Sequence, residues 1–151
     1  MRTFHLGSRI WLPTPPGEVF PFFADPSNLE LLTPPWLRFE ILTLPPAGMA
    51  VGARLDYRLR LRSIPVSWQS EITRWDPPHA FTDEQRRGPY RRWVHRHGFA
   101  EQDGGTLVTD DVAYAVAGGR LLNHLLVQPD LRRIFAYRRA CLRTRFGAPA
   151  G

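Results

Sequence analysis

Residues 83–99 have the sequence DEQRRGPYRRWVHRHGF, and this stretch predicts a hairpin. Gly88-Pro89 is a dipeptide typical of turns, so it separates two extended segments. The second segment places four ring side chains on one face, because alternate residues of a strand project in the same direction. These are Trp93, His95, His97 and Phe99. Such a face suits the wall of a pocket that is mostly apolar with a few polar groups.

Alternation of apolar and polar residues, typical of half-buried strands, continues on both sides of this hairpin. It is present in residues 3–12, 37–41, 53–62, 66–73, 80–87, 91–102 and 106–116. Asp103-Gly104 predicts a tight turn between the last two segments. Near the start of the chain, Thr14 as N-cap before Pro15 predicts a short helix, and Asp25-Pro26 predicts a second.

The last third of the chain has a helical period. From about Asp130 onward, apolar side chains form one broad arc, and arginines occupy the other side. The arc contains Leu131, Ile134, Phe135, Tyr137, Cys141, Leu142 and Phe146. The leucines of residues 121–126 are out of phase with this arc, and Pro129 lies at the discontinuity. We therefore expect a separate short segment followed by one long amphipathic helix.

The order of elements predicts an α+β fold. One strand, two short helices, about six further antiparallel strands and a long helix give a curved antiparallel sheet of about seven strands around the C-terminal helix. A length of 151 residues is typical of one domain. The sequence contains no internal repeat or low-complexity linker, so residues 1–151 are predicted to form a single domain.

With these elements the chain resembles the START-like superfamily, also called SRPBCC, over about residues 3–146. The resemblance rests on Pro13–Phe20, Asp25–Glu30, Trp75–Pro78 with Phe81, and Gly105-Thr106 followed by Asp110, Val112 and Tyr114. Residues 83–99 are similar to a bacterial ligand-binding subgroup with Asp-Glu-Gln, Gly-Pro-Tyr, Trp, His-x-His and Phe in this order. The resemblance implies a helix-grip fold that encloses a small hydrophobic or amphipathic ligand, lipid- or polyketide-like. It leaves carriers, sensors and polyketide cyclases open, because fold does not fix function.

The inward strand faces supply the candidate ligand contacts. We expect an apolar lining from Tyr57, Trp68, Trp93, Phe99 and Tyr114. The expected polar contacts are Gln85, His95, His97, Asp110 and Arg138. The alternative function is a cyclase or dehydratase in which His95 or His97 is the general acid or base. The ordinary imidazole pKa of about 6.5 makes that chemistry feasible near neutral pH.

The His95-x-His97 pair has three interpretations. The two imidazoles bind a metal ion with Asp110 or Asp83 as a third ligand, they form hydrogen bonds in the cavity, or they are satisfied core histidines. The sequence shows no cluster with metal-ligand spacing. No metal and no cofactor are therefore predicted.

Arg138 lies at the centre of the apolar arc, where a surface arginine is not expected. A buried guanidinium must be paired, because an unpaired buried charge is very costly. Its candidate partners are Asp110 or Asp83, with a ligand carboxylate as the other possibility. The remaining alternative is a side chain that extends to solvent.

Charge and composition restrict the partners. The net charge is +6 and all 20 basic residues are arginine, but they are interleaved with carboxylates, so nucleic-acid binding is not expected. Cys141 is the single cysteine, which excludes an internal disulfide. The N-terminal residues lack signal-peptide features, and no apolar run approaches 18 residues, so we expect a cytoplasmic protein without stable membrane insertion. The sequence does not predict an oligomeric state.

Overall fold

The computed structural model describes residues 2–147, in which seven strands form one antiparallel sheet of order β1-β7-β6-β5-β4-β3-β2. The strands are β1 (Phe4–Leu12), β2 (Glu40–Thr43), β3 (Arg54–Leu61), β4 (Ile64–Asp76), β5 (Ala80–Arg87), β6 (Arg92–Gln102) and β7 (Gly105–Ala115). The helices are α1 (Pro16–Ala24), α2 (Leu29–Leu32), α3 (Gly119–Leu122) and α4 (Gln128–Phe146), with short 3-10 turns at Pro26–Asn28 and Pro35–Leu37. The predicted α+β helix-grip fold is confirmed. Residue 1 and residues 148–151 of the expected domain lie outside the described part.

The pairing of β5, β6 and β7 brings the polar residues of the sequence motif together. Asp83 lies opposite His95 across the β5–β6 pair. Asp110 lies opposite His97 across the β6–β7 pair. Directly opposed residues of antiparallel strands share a face and are neighbours. The register therefore places both carboxylates beside the two imidazoles.

One face of α4 packs against the inside of the sheet. The buried residues of α4 are Leu131, Phe135, Arg138 and Leu142. Their spacing of three and four residues forms a single stripe along a helix. The stripe includes Arg138, so the predicted position of this arginine within the apolar arc is what the structure shows.

The segment before α4 differs from the prediction of a separate element. Residues 119–146 are helical throughout, because α3 continues through a π-helical turn at Asn123–Val127 into α4. A π turn adds a residue to one turn and so changes the phase of the helix. This shift explains why the leucines of residues 121–126 are out of phase with α4. Leu121 is 70% exposed.

The first helix also begins later than predicted. Pro15, not Thr14, is the N-cap of α1, and no side chain caps it. The hydroxyl of Thr14 instead donates a hydrogen bond to the carbonyl of Phe146 at 3.0 Å. Thr14 therefore ties the β1–α1 junction to the end of α4. Within residues 2–147, no helix combines the length and hydrophobicity needed to cross a membrane.

Candidate functional site

A cavity of about 180 Å³ lies between the sheet and α4. Six of the predicted contact residues border it: Tyr57, Trp68, Trp93, His95, His97 and Arg138. Further side chains complete the wall, among them Asp83, Tyr90, Leu131 and Phe135. Asp83 was predicted only as an ion-pair or metal partner. Tyr90 was not predicted to border the cavity, because this residue belongs to the predicted turn.

Four predicted contact residues do not border the cavity: Gln85, Phe99, Asp110 and Tyr114. Phe99 packs against Phe23 of α1, with ring centroids 4.9 Å apart. The hydroxyl of Tyr114 donates to Asn123 Oδ1 at 2.6 Å. Asp110 lies behind the imidazoles and contacts them rather than the cavity. All three side chains point inward as predicted, but protein atoms occupy the space in front of them.

Gln85 closes the β5–β6 hairpin instead of facing the cavity. Its Nε2 donates to the carbonyl of Tyr90 at 2.7 Å, and the Tyr90 N–H donates to its Oε1 at 3.1 Å. A Cβ atom at Gly88 would lie 2.5 Å from that Oε1, so any larger residue there would displace the Gln85 amide. The ring of Tyr90 lies 4.7 Å from that of Trp93. Gln85 therefore acts on the cavity through Tyr90.

We predict that Gln85→Ala lowers the free energy of unfolding by about 1–2 kcal/mol. The variant loses the two hydrogen bonds between the Gln85 side chain and the backbone of Tyr90. Gly88→Ala should have a similar effect, since it displaces the same amide. The double variant should then be less destabilised than the sum of the single variants. Urea unfolding measures all three, with Gln102→Ala at the exposed end of β6 as control. Full additivity would contradict the shared cause.

Five buried or half-buried side chains form what we call the His–Asp–Arg cluster: Asp83, His95, His97, Asp110 and Arg138. His97 Nε2 lies 2.6 Å from Asp83 Oδ2, and His95 Nε2 lies 2.8 Å from Asp110 Oδ1. Arg138 Nε donates to Asp110 Oδ2 at 3.2 Å. Arg138 Nη2 lies 3.4 Å from His97 Nδ1. The network connects strands β5, β6 and β7 to α4.

Both carboxyl groups of the cluster are ionised. Burial by itself raises the pKa of Asp110, but the charge of Arg138 and the hydrogen bond from His95 outweigh it and hold that pKa well below its usual range. Burial likewise raises the pKa of Asp83, and the hydrogen bond from His97 outweighs this effect, so the net shift is downward. Each carboxylate therefore accepts hydrogen bonds from its neighbours.

His97 is neutral near neutral pH. Burial lowers its pKa to about 4, and the positive charge of a protonated His95 would act in the same direction, against the opposing effect of Asp83. Since Asp83 is a carboxylate, His97 Nε2 must carry the hydrogen of their bond. The other nitrogen, Nδ1, then accepts from Arg138. Both ring nitrogens of His97 are thus engaged.

Arg138 is paired with a protein carboxylate, which is one of the alternatives that the sequence left open. Its partner is Asp110, whereas Asp83 bonds to His97. The guanidinium also lies over the ring of Phe23, 5.2 Å from its centroid. Arg138 borders the cavity, but its charge is balanced within the cluster.

His95 differs from His97 in having one ring nitrogen without a partner. Its ring stacks on that of His97, with centroids 3.7 Å apart. Nε2 donates to the carboxylate of Asp110, and among residues 2–147 no hydrogen bond reaches Nδ1. Every fully buried side-chain nitrogen and oxygen of the described residues has a partner. His95 Nδ1 is therefore accessible, and His95 borders the cavity.

Asp83, His95 and His97 each bring one potential ligand atom to a group within 4.8 Å. A metal ion there would compete with the bond between His97 and Asp83. It would also lie near the guanidinium of Arg138, which contacts His97. Because like charges at close range are unfavourable in a buried site, these residues fit a hydrogen-bonded network better than a metal centre. The expected absence of a metal or cofactor stays a prediction.

Comparison with protein families gives one match. Residues 12–136 match the family described as polyketide cyclase / dehydrase and lipid transport. No curated protein matches the sequence significantly.

Solved structures similar to this chain come from plants and bacteria. The ginseng major latex-like protein 151 of Panax ginseng has a TM-score of 0.72 at 12% identity, over 97% of this chain and 99% of that one. TTHA0849 from Thermus thermophilus has a TM-score of 0.70 at 22% identity, over 95% and 97%. Ms6760 from Mycobacterium smegmatis has a TM-score of 0.70 at 20% identity, over 93% and 89%. At these identities the likeness shows the fold alone.

Proposed function

The chain belongs to the polyketide cyclase / dehydrase and lipid transport family, a START-like family as the sequence predicted, and on this premise we propose that it binds a small hydrophobic ligand in the cavity between sheet and α4. The single observation that carries the proposal is a cavity with mostly apolar walls and one accessible, unpaired imidazole nitrogen. Mostly apolar walls with a few polar groups are typical of small-molecule sites.

The size of the cavity supports a small ligand. An apolar cavity of about 150 Å³ in another protein holds benzene, and this one measures about 180 Å³. One aromatic ring with a short substituent fits such a space. A long lipid or a multi-ring polyketide needs a pocket of about 300 Å³ or more. We therefore propose a monocyclic aromatic or a compound of similar size.

The chemistry of the walls supports an aromatic ligand. Tyr57 and Trp68 are stacked with ring centroids 5.8 Å apart, and Trp93 meets Trp68 edge to face at 5.3 Å. Phe135 of α4 contacts His95 edge to face. Ring edges and faces that border one cavity favour a further ring in offset or edge-to-face geometry.

We predict that purified protein binds 4-ethylphenol, 4-ethyltoluene or both with 1:1 stoichiometry in calorimetric titration. Ile134→Trp should weaken this binding at least about tenfold. Ile134 of α4 borders the cavity, and the indole ring of the tryptophan would fill the space that the ligand needs. Leu121→Trp, at an exposed position of α3, is the matched control and should bind as wild type does. If neither compound binds wild type, or if Ile134→Trp binds both unchanged, the proposed site is wrong.

A cyclase or dehydratase activity is the second candidate function. The observation in its favour is the pair formed by Asp110 and His95, in which the carboxylate holds one ring nitrogen and the other is accessible. A positioned base with an orienting carboxylate can abstract a proton next to a carbonyl. His97 is less suited to this role, because both of its nitrogens are engaged. Turnover of a small β-keto compound by the purified protein tests this candidate.

A further inference from the structure

We propose that the cavity selects neutral ligands that carry a hydrogen-bond donor, such as a phenolic hydroxyl, and rejects carboxylates, with His95 Nδ1 as the acceptor. The inference rests on the proposed binding function and names the class of ligand for that site. It depends on the direction of hydrogen bonding at His95 and on the charge of the His–Asp–Arg cluster.

The hydrogen bonds of His95 decide which ring nitrogen is an acceptor. Asp110 accepts one bond from His95 and another from Arg138, so its charge is already matched by a guanidinium. Because Nε2 faces the Asp110 carboxylate, an imidazole with a single ring hydrogen carries it on Nε2 and has its lone pair on Nδ1. This acceptor belongs to a residue that is only 7% exposed.

The charge of the cluster argues against an anionic ligand. It contains two carboxylates, Asp83 and Asp110, and one guanidinium, Arg138, while His97 is neutral. The sum is negative with a neutral His95 and only zero with a protonated one. An anion entering the cavity would gain no net attraction to offset its desolvation, and it would approach Asp83, which borders the same space.

The polar groups that β3 and β4 contribute to the cavity do not change this balance. The hydroxyls of Tyr57 and Ser70 bond to each other at 2.9 Å, and Trp68 Nε1 donates to Ser70 Oγ at 3.0 Å. Burial raises the pKa of Tyr57, so its hydroxyl stays neutral. Among the described residues, the basic side chains that border the cavity are His95, His97 and Arg138. None supplies an unmatched positive charge for a carboxylate.

Three compounds of similar size test the proposal: 4-ethylphenol, 4-ethylanisole and 4-ethylbenzoate. At pH 7.5 the phenol is neutral because phenols titrate near pH ~10, the anisole lacks the donor, and the benzoate is anionic. We expect calorimetric titration of wild type to give a Kd for the phenol at least about tenfold lower than for the anisole, since only the phenol pairs the buried acceptor. The benzoate should bind at least about 100-fold more weakly than the phenol.

The outcomes separate this proposal from the binding function. If the anisole binds as tightly as the phenol, or if the benzoate binds comparably, the selectivity is wrong and the cavity remains a binding site. If none of the three compounds binds and 4-ethyltoluene also fails, the proposed function is wrong and the selectivity falls with it.

A variant connects the selectivity to His95. His95→Phe removes the acceptor and keeps a ring, so the Kd values of the phenol and the anisole should become equal. His5→Phe makes the same change at an exposed position of β1 and should keep the wild-type ratio. If His95→Phe does not fold, the ¹⁵N resonance of His95 Nδ1 in wild type gives the answer. It should shift with the phenol and not with the anisole, and an unchanged resonance would overturn the proposal.

Discussion

Arg138→Met is expected to lower the free energy of unfolding by about 3–5 kcal/mol, the usual range when one partner of a buried ion pair is removed. Methionine keeps most of the length and apolar volume of arginine, so the loss reflects the charge rather than a cavity. Arg138 is 7% exposed and bonds to Asp110 and His97. Without it, Asp110 is a buried carboxylate whose only remaining donor in the cluster is His95. Urea unfolding measures the effect as a shift of the midpoint, with the same m-value used for the variant and for wild type.

A second substitution distinguishes the ion pair from simple packing. Asp110→Asn removes the charge left behind, so the double variant Arg138→Met, Asp110→Asn should be more stable than Arg138→Met alone. Arg143→Met, on the exposed side of α4, is the matched control and should change stability by no more than about 0.5 kcal/mol. Wild-type stability of Arg138→Met, or absence of recovery in the double variant, would show that the pair is not the main contribution of this arginine.

The sequence predicted the sheet and the inward face of its central strands because period-two alternation is strong there. The predicted segment 80–87 is the observed β5, and 91–102 differs from β6 by one residue. Once a strand is placed, the pleat determines which side chains share a face. Trp93, His95 and His97 could therefore be assigned to the inside of the sheet from the sequence alone.

The partner of Arg138 could not be chosen from the sequence, because helical phase gives a direction and not a distance. Asp110 and Asp83 both lie on inward strand faces. The register of β5, β6 and β7 places Asp83 opposite His95 and Asp110 opposite His97. The side chains then pair diagonally, so that Asp83 bonds to His97 and Asp110 is the partner of the arginine.

The cavity lining was predicted less well, since an inward side chain can border empty space or fill it. Phe99 contacts Phe20 and Phe23 of α1, and the sequence does not say how this short helix packs. Tyr90 borders the cavity although it was not predicted to do so, because its position in a turn suggested a side chain exposed to solvent. The hydrogen bonds from Gln85 bring it back over Trp68 and Trp93.

Acidification should destabilise the protein by about 3 kcal/mol between pH 7 and pH 4 through His97 alone. Its pKa is about 4 in the folded protein and about 6.5 in an unfolded chain. Between these values the unfolded state binds more protons, so stability falls as pH falls, by about 1.4 kcal/mol per unit of pKa difference. The contribution is complete above about pH 6.5. Asp110, whose folded pKa is lowered, adds a further loss below about pH 4.

Thermal unfolding at pH 7, 5.5 and 4 measures this dependence, and one substitution assigns it to His97. His97→Gln retains a neutral hydrogen-bonding side chain but cannot be protonated in this range, so its stability should depend less steeply on pH between 6.5 and 4. His5→Gln, on the exposed face of β1, should keep the wild-type slope. Equal slopes for His97→Gln and wild type would mean that another group binds the proton on unfolding. A neutral, buried His97 is also part of the charge count of the cluster, so that result would weaken the argument against anionic ligands as well.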